Sequence, residues 1–79
     1  MKIHNLCYFA VPEYPEEDTP KSYNIILLHE GEQIDEIKDV STSAEEAGEI
    51  AGKLNRTHTL PINWKDAVID EINRLAAQL

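Results

Sequence analysis

Residues 22–54 read SYNIILLHEGEQIDEIKDVSTSAEEAGEIAGKL, and a change of period inside this stretch decides the fold. From Ser22 to His29 the pattern is that of a strand. Successive strand side chains point to opposite faces, so Tyr23, Ile25 and Leu27 share one face while Ile26 and Leu28 share the other. Gly31 marks a tight turn, expected with Gly31-Glu32 at its centre. Residues 33–40 return as a second arm. Ile34 and Ile37 are three apart, which would place them on opposite faces, and a β-bulge is one remedy. The period then becomes helical. Ser43-Ala-Glu-Glu46 has the spacing of a capping box, in which a hydroxyl and a carboxylate satisfy free backbone donors at a helix start. The helix is expected over about 44–55, with Ala47, Ile50, Ala51 and Leu54 turned inward. Gly48 and Gly52 weaken it by about 1 kcal/mol each relative to alanine. Close approach to the sheet or to another helix is the expected compensation.

Upstream, residues 2–11 read as a strand rich in aromatic and branched residues. Ile3, Cys7, Phe9 and Val11 fall on one face, with Asn5 among them, and Leu6, Tyr8 and Ala10 on the other. Residues 12–21, PEYPEEDTPK, hold three prolines and four acids and read as a loop. Downstream, residues 56–62 form a linker. Asn63 is placed to cap a second helix and Asp66 to suit its first turn. Trp64, Val68, Ile72, Leu75 and Leu79 recur at helical spacing, and Trp64 is expected in the core.

The sum is one α+β domain over residues 1–79. A three-stranded, mostly antiparallel sheet and two helices follow in the order β-β-β-α-α. Both faces of the first two strands are apolar. If both helices cover one face, the other exposes Leu6, Tyr8, Ile26 and Leu28, or the opposite set, and pairs two copies in a homodimer. One helix on each face would bury both sets instead.

Chemistry is sparse. His4, Cys7, His29 and His58 have no zinc-site spacing, so neither a metal nor a cofactor is expected. Cys7 lies in an apolar strand, where a thiol is ordinarily inert packing, and Ser41 and Ser43 are helix-cap residues. No carboxylate pair has the look of a desolvated acid and base, and the three glycines form no phosphate loop. An enzyme is not expected. The single cysteine favours a reducing compartment, and the apolar run 6–11 is far short of the about 20 residues that a membrane helix needs. The expected location is cytoplasmic, that of a bacterial host if the gene is viral.

Charge is the feature left. The net charge is −8. Up to residue 50 there are 12 acids and 3 bases, and beyond it 3 acids and 4 bases. Such a field attracts basic partners and repels nucleic acid. The candidate partner-binding residues are Glu30, Glu32, Asp35, Glu36 and Asp39 on the hairpin, then Glu45, Glu46 and Glu49. Tyr14, an aromatic between two prolines, joins them as an anchor. The competing reading of the acids is solubility.

The hairpin SYNIILLHEGEQIDEIKDV, then STSAEEAGEIAGKL and the closing INWKDAVIDEINRLAAQL, resembles small acidic phage-borne anti-CRISPR proteins in size, charge and order of elements. The resemblance implies an inhibitor whose acidic surface blocks the basic nucleic-acid path of a CRISPR effector. STSAEEA at 41–47 is also similar to the helix start of HicB-type antitoxins. That likeness implies a basic toxin as partner, although the proline-glycine turn usual before that helix is missing.

Overall fold

The structure, a computed structural model, describes residues 5–13 and 22–77. Three strands, β1 (Leu6–Glu13), β2 (Ser22–His29) and β3 (Glu32–Ser41), precede two helices, α1 (Ala44–Arg56) and α2 (Trp64–Ala76). The sheet is antiparallel with β2 in the centre. This is the α+β order read from the sequence. Ile3, Tyr14 and Leu79 lie outside the described residues.

The strand boundaries differ from expectation in two places. β1 runs through Pro12 to Glu13, past the expected start of the loop. Proline is tolerated there because β1 is an edge strand and Pro12 has no ladder donor to lose. The hairpin turn is Glu30-Gly31 rather than Gly31-Glu32, because His29 pairs with Glu32. Both turn residues take positive φ, 52° and 84°, as a type I′ hairpin needs.

Both helices lie on one face of the sheet. Register decides which face. Tyr8 sits opposite Leu27 and Ala10 opposite Ile25, so Leu6, Tyr8 and Ala10 share the helix side with Ile25 and Leu27. Tyr8, Ile25, Leu27, Val40, Ile50, Ala51, Leu54, Trp64 and Val68 form the buried core. Trp64 is fully buried and its ring centroid lies 5.5 Å from that of Tyr8. The uncovered face therefore carries Cys7, Phe9 and Val11 beside Ile26 and Leu28. The pairing of Leu6 and Tyr8 with Ile26 and Leu28 is corrected, because Phe9 is the residue opposite Ile26.

β3 slips register twice, between Leu27 and Leu28 and between Tyr23 and Ile25 of its partner. The first slip falls at Ile34 itself, which is left without a partner between Gln33 and Asp35, so the irregularity expected around Ile34 and Ile37 is present. Ile34 stays half exposed, whereas Ile37, opposite Ile25, packs on the core. The second slip passes Lys38, Asp39 and Val40 opposite Asn24. It resets the alternation, so that Val40 is buried with the core although it stands three residues from Ile37.

The helix ends also depart from the simple motifs. Ser43 caps α1 by accepting from the Glu46 N–H at 3.2 Å. The Glu46 carboxylate does not return to Ser43. It accepts from the Ser41 hydroxyl at 3.4 Å, and that hydroxyl accepts from the Ser43 N–H at 3.0 Å. Asn63 occupies the N-cap position of α2 but its side chain makes no cap bond. Gly48 has open space where a Cβ would stand, and Gly52 meets only the Arg56 guanidinium at 3.3 Å. Neither glycine serves a close approach of backbones.

Glu71 pins the helices together. It is 7% exposed, and it accepts from Lys53 of α1 at 2.7 Å and from Arg74 at 2.8 and 3.0 Å. These bonds, Arg74 first, hold its carboxyl below the ordinary glutamate range. Among the described residues no helix is long and apolar enough to cross a membrane.

Candidate protein-binding surface

Asn24 organises the uncovered face. It stands on the central strand, is 3% exposed, and alternates with Ile26 and Leu28. An amide buried there must find partners for its donors and its acceptor. Its Oδ1 accepts from the Asp39 N–H at 2.9 Å, which fastens the bulge. Its Nδ2 donates to Glu13 at 2.9 Å and, more weakly, to Glu36 at 3.4 Å. The Ser22 hydroxyl donates to the Asp39 carboxylate at 2.6 Å. Asp39 is held at φ 55°, a conformation that costs a residue with a side chain about 1–2 kcal/mol. The bonds from Asn24 and Ser22 offset that strain.

The result is a patch in which the carboxylates of Glu13 and Glu36 share the Asn24 amide and Asp39, tied to that amide by its N–H, has its carboxylate held by Ser22. Among the described residues no lysine or arginine pairs with any of them. The ion pairs there are Lys53–Glu71, Arg74–Glu71 and Lys65–Asp35.

The structure scatters the other candidates. Asp35 stands opposite Leu27, on the helix side of β3. Its carboxylate accepts from the Trp64 indole N–H at 3.0 Å and from the Glu36 N–H at 2.9 Å, with Lys65 at 3.7 Å. The Trp64 bond, then the Glu36 bond, hold its carboxyl below the usual aspartate range. Asp35 is thus engaged in docking α2 on the sheet. Glu30 and Glu32 are exposed at the hairpin tip, where Glu30 accepts from Asn5 at 3.4 Å. Glu45, Glu46 and Glu49 belong to α1, in the layer on the other side of the sheet from the Asn24 patch. Tyr14 lies outside the described residues.

Sequence reasoning missed Glu13 and Asn24. The prolines around it place Glu13 in the loop, yet in the structure it continues the alternation Cys7, Phe9, Val11. Asn24 was legible as a lone polar residue between apolar strand positions, and that was the available signal.

Beside the acidic patch the uncovered face is apolar. Phe9 is 49% exposed and Cys7 is exposed, while Val11, Ile26 and Leu28 are partly so. The two sheet edges are poor templates for an added strand. On β1 the Asn55 side chain occupies both the N–H and the C=O of Tyr8. On β3 the two slips break the row of free groups. A groove of about 330 Å³ separates β3 from α2, floored by Ile37, Val40, Val68 and Ile72. Among the described residues no group of three or more histidine, cysteine, aspartate or glutamate side chains is placed to hold a metal ion.

No protein-family model, curated protein or solved structure matches this chain.

Proposed function

We propose that this protein binds a partner protein and that its acidic sheet patch docks on a basic surface. The observation that carries the reading is the gathering of Glu13, Glu36 and Asp39 around Asn24 with no lysine or arginine pairing with them among the described residues. Strained backbone at Asp39 and a buried amide hold these charges in place. A set of solubilising glutamates needs no such fixture. Fixed like charges with no counter-ion among the described residues favour an external one, and they steer association more than they raise affinity.

In its most specific form the reading is an inhibitor carried by a phage or mobile element, which occupies the basic nucleic-acid path of a CRISPR effector. Size, net charge and the order of elements support that form.

The test is titration of purified CRISPR effector complexes carrying a fluorescent target DNA, at low and at high salt. Stoichiometric release of DNA that weakens with salt is expected, because charges separated by more than about 8 Å are screened at physiological ionic strength. The Glu13→Gln/Glu36→Gln variant keeps both acceptors for Asn24 and removes two charges, so it should release less. Absence of release by the wild type from every complex would overturn the specific reading.

A further inference from the structure

We propose that the uncovered sheet face takes one amphipathic helix of the partner. Its apolar stripe would seat on β1 and β2, and its lysines or arginines would pass along Glu13, Glu36 and Asp39. This rests on the reading of the acidic patch as a docking surface and adds the chemistry and shape of what docks.

The dimensions and the placement of residues carry it. Neighbouring strands lie about 5 Å apart, and a helix with its side chains is about 10 Å across. Five apolar residues of the face stand side by side on β1 and β2, Cys7, Phe9 and Val11 beside Ile26 and Leu28, while Ile34 on β3 is half exposed at the slip. Two strands match the footprint of one helix. Glu36 stands opposite Ile26 on β3, along the flank of that footprint, and Glu13 and Asp39 stand at its end beside Asn24. An apolar seat with carboxylates on one flank and one end is complementary to a helix that is apolar on one side and basic beside it. Such a helix would complete a third layer, with the sheet between it and α1 and α2.

Other occupants fit less well. An added strand would need a free edge, and Asn55 on β1 and the slips of β3 deny one. A second copy would set the same apolar and acidic patch against itself. Among the described residues Lys38 is the one base on any strand, and Lys53, Arg56, Lys65 and Arg74 stand on the helices of the opposite layer.

Cys7 supplies the readout, because it is exposed on this face. The probe is a synthetic amphipathic helix of leucine and lysine, with a leucine–glutamate helix of the same pattern as control. Binding is followed by calorimetry, and the rate of Cys7 alkylation by iodoacetamide is measured with and without each peptide. The lysine peptide should slow alkylation about tenfold at saturation and the glutamate peptide should not, as expected for a thiol under a packed interface. Phe9→Ser should weaken binding about tenfold, the scale of an anchor residue. Trp64 fluorescence checks that this variant is folded, and the wild-type alkylation rate decides the matter without it. If the lysine peptide binds, loses affinity in Glu13→Gln/Glu36→Gln, and leaves Cys7 as reactive as before, the helix seat is overturned and the acidic docking reading stands. If the wild type does not bind the lysine peptide at low salt, both fall. If sedimentation shows a dimer that protects Cys7 with no peptide present, the occupant is a second copy and the proposal is wrong.

Discussion

The side-chain amide of Asn55 pairs with the main chain of Tyr8 in both directions. Nδ2 donates to the Tyr8 carbonyl and Oδ1 accepts from the Tyr8 N–H, each at 2.9 Å. The last turn of α1 thereby stands in for a fourth strand at the edge of β1. The Tyr8 hydroxyl reaches on to the carbonyl of Thr59, just past the end of α1, so one residue is held at its backbone and at its ring end. Burial raises the phenol above its ordinary 10.0.

Asn55→Ala should leave two backbone groups of a buried residue without partners. The expected cost is about 1–3 kcal/mol. Amide hydrogen exchange at Tyr8 should accelerate in the variant, while protection at Leu27, inside the sheet, falls only by the global loss of stability. Unchanged protection at Tyr8 would show that the amide pair is dispensable.

Trp64→Ala should cost about 3–5 kcal/mol, enough to unfold much of a domain this small. Trp64→Phe keeps the ring against Tyr8 and loses the bond to Asp35. It should cost far less, because Asp35 is partly exposed and regains water. In a double-mutant cycle, Trp64→Phe with Asp35→Ala should show a coupling of about 1 kcal/mol. Independent effects in urea denaturation would mean that the indole N–H contributes nothing through Asp35.

Stability should fall in acid through Glu71 and Asp35. The Glu71 carboxyl is held below its ordinary 4.5, first by Arg74 and then by Lys53. The Asp35 carboxyl is held below its ordinary 3.8 by the Trp64 and Glu36 donors. Each group therefore binds its proton more readily in the unfolded chain. Their stabilisation is present in full above those ordinary values and is lost as pH drops through them to the lower folded values. Glu71→Gln should flatten that part of the curve of melting temperature against pH. A variant whose acid slope equals that of the wild type would remove Glu71 from the account.

Gly48→Ala should stabilise the protein by about 1 kcal/mol, because alanine removes the entropic cost of glycine inside a helix and its Cβ enters open space. Gly52→Ala should gain less, since the Arg56 guanidinium at 3.3 Å must move aside. Thermal melts of both variants check the order.

The sequence by itself determined the elements. Alternation in SYNIILLH, the glycine after it, the serine before AEEAGEI and the recurrence of Trp64, Val68 and Ile72 are local patterns. Each follows from the geometry of one strand, turn or helix, so β-β-β-α-α and a buried Trp64 were legible without any contact between elements. Only the tertiary structure decided how the strands line up and which face the helices cover. Parity along one strand is local, but its phase against the next strand depends on register, and a one-residue slip exchanges the faces. Tyr8 opposite Leu27 put Phe9 and Cys7 on the open side. The bulge opposite Asn24 turned Val40 inward and drew Asp39 to the patch. The candidate acids divided for the same reason. Eight carboxylates crowded between residues 30 and 49 are neighbours in the chain. In space Asp35 turns to Trp64, Glu46 turns to Ser41, and Glu36 and Asp39 of one strand and Glu13 of another each bond to Asn24 between them. A buried amide can collect carboxylates only from strands that lie beside it, and no local pattern in the chain records which strands those are.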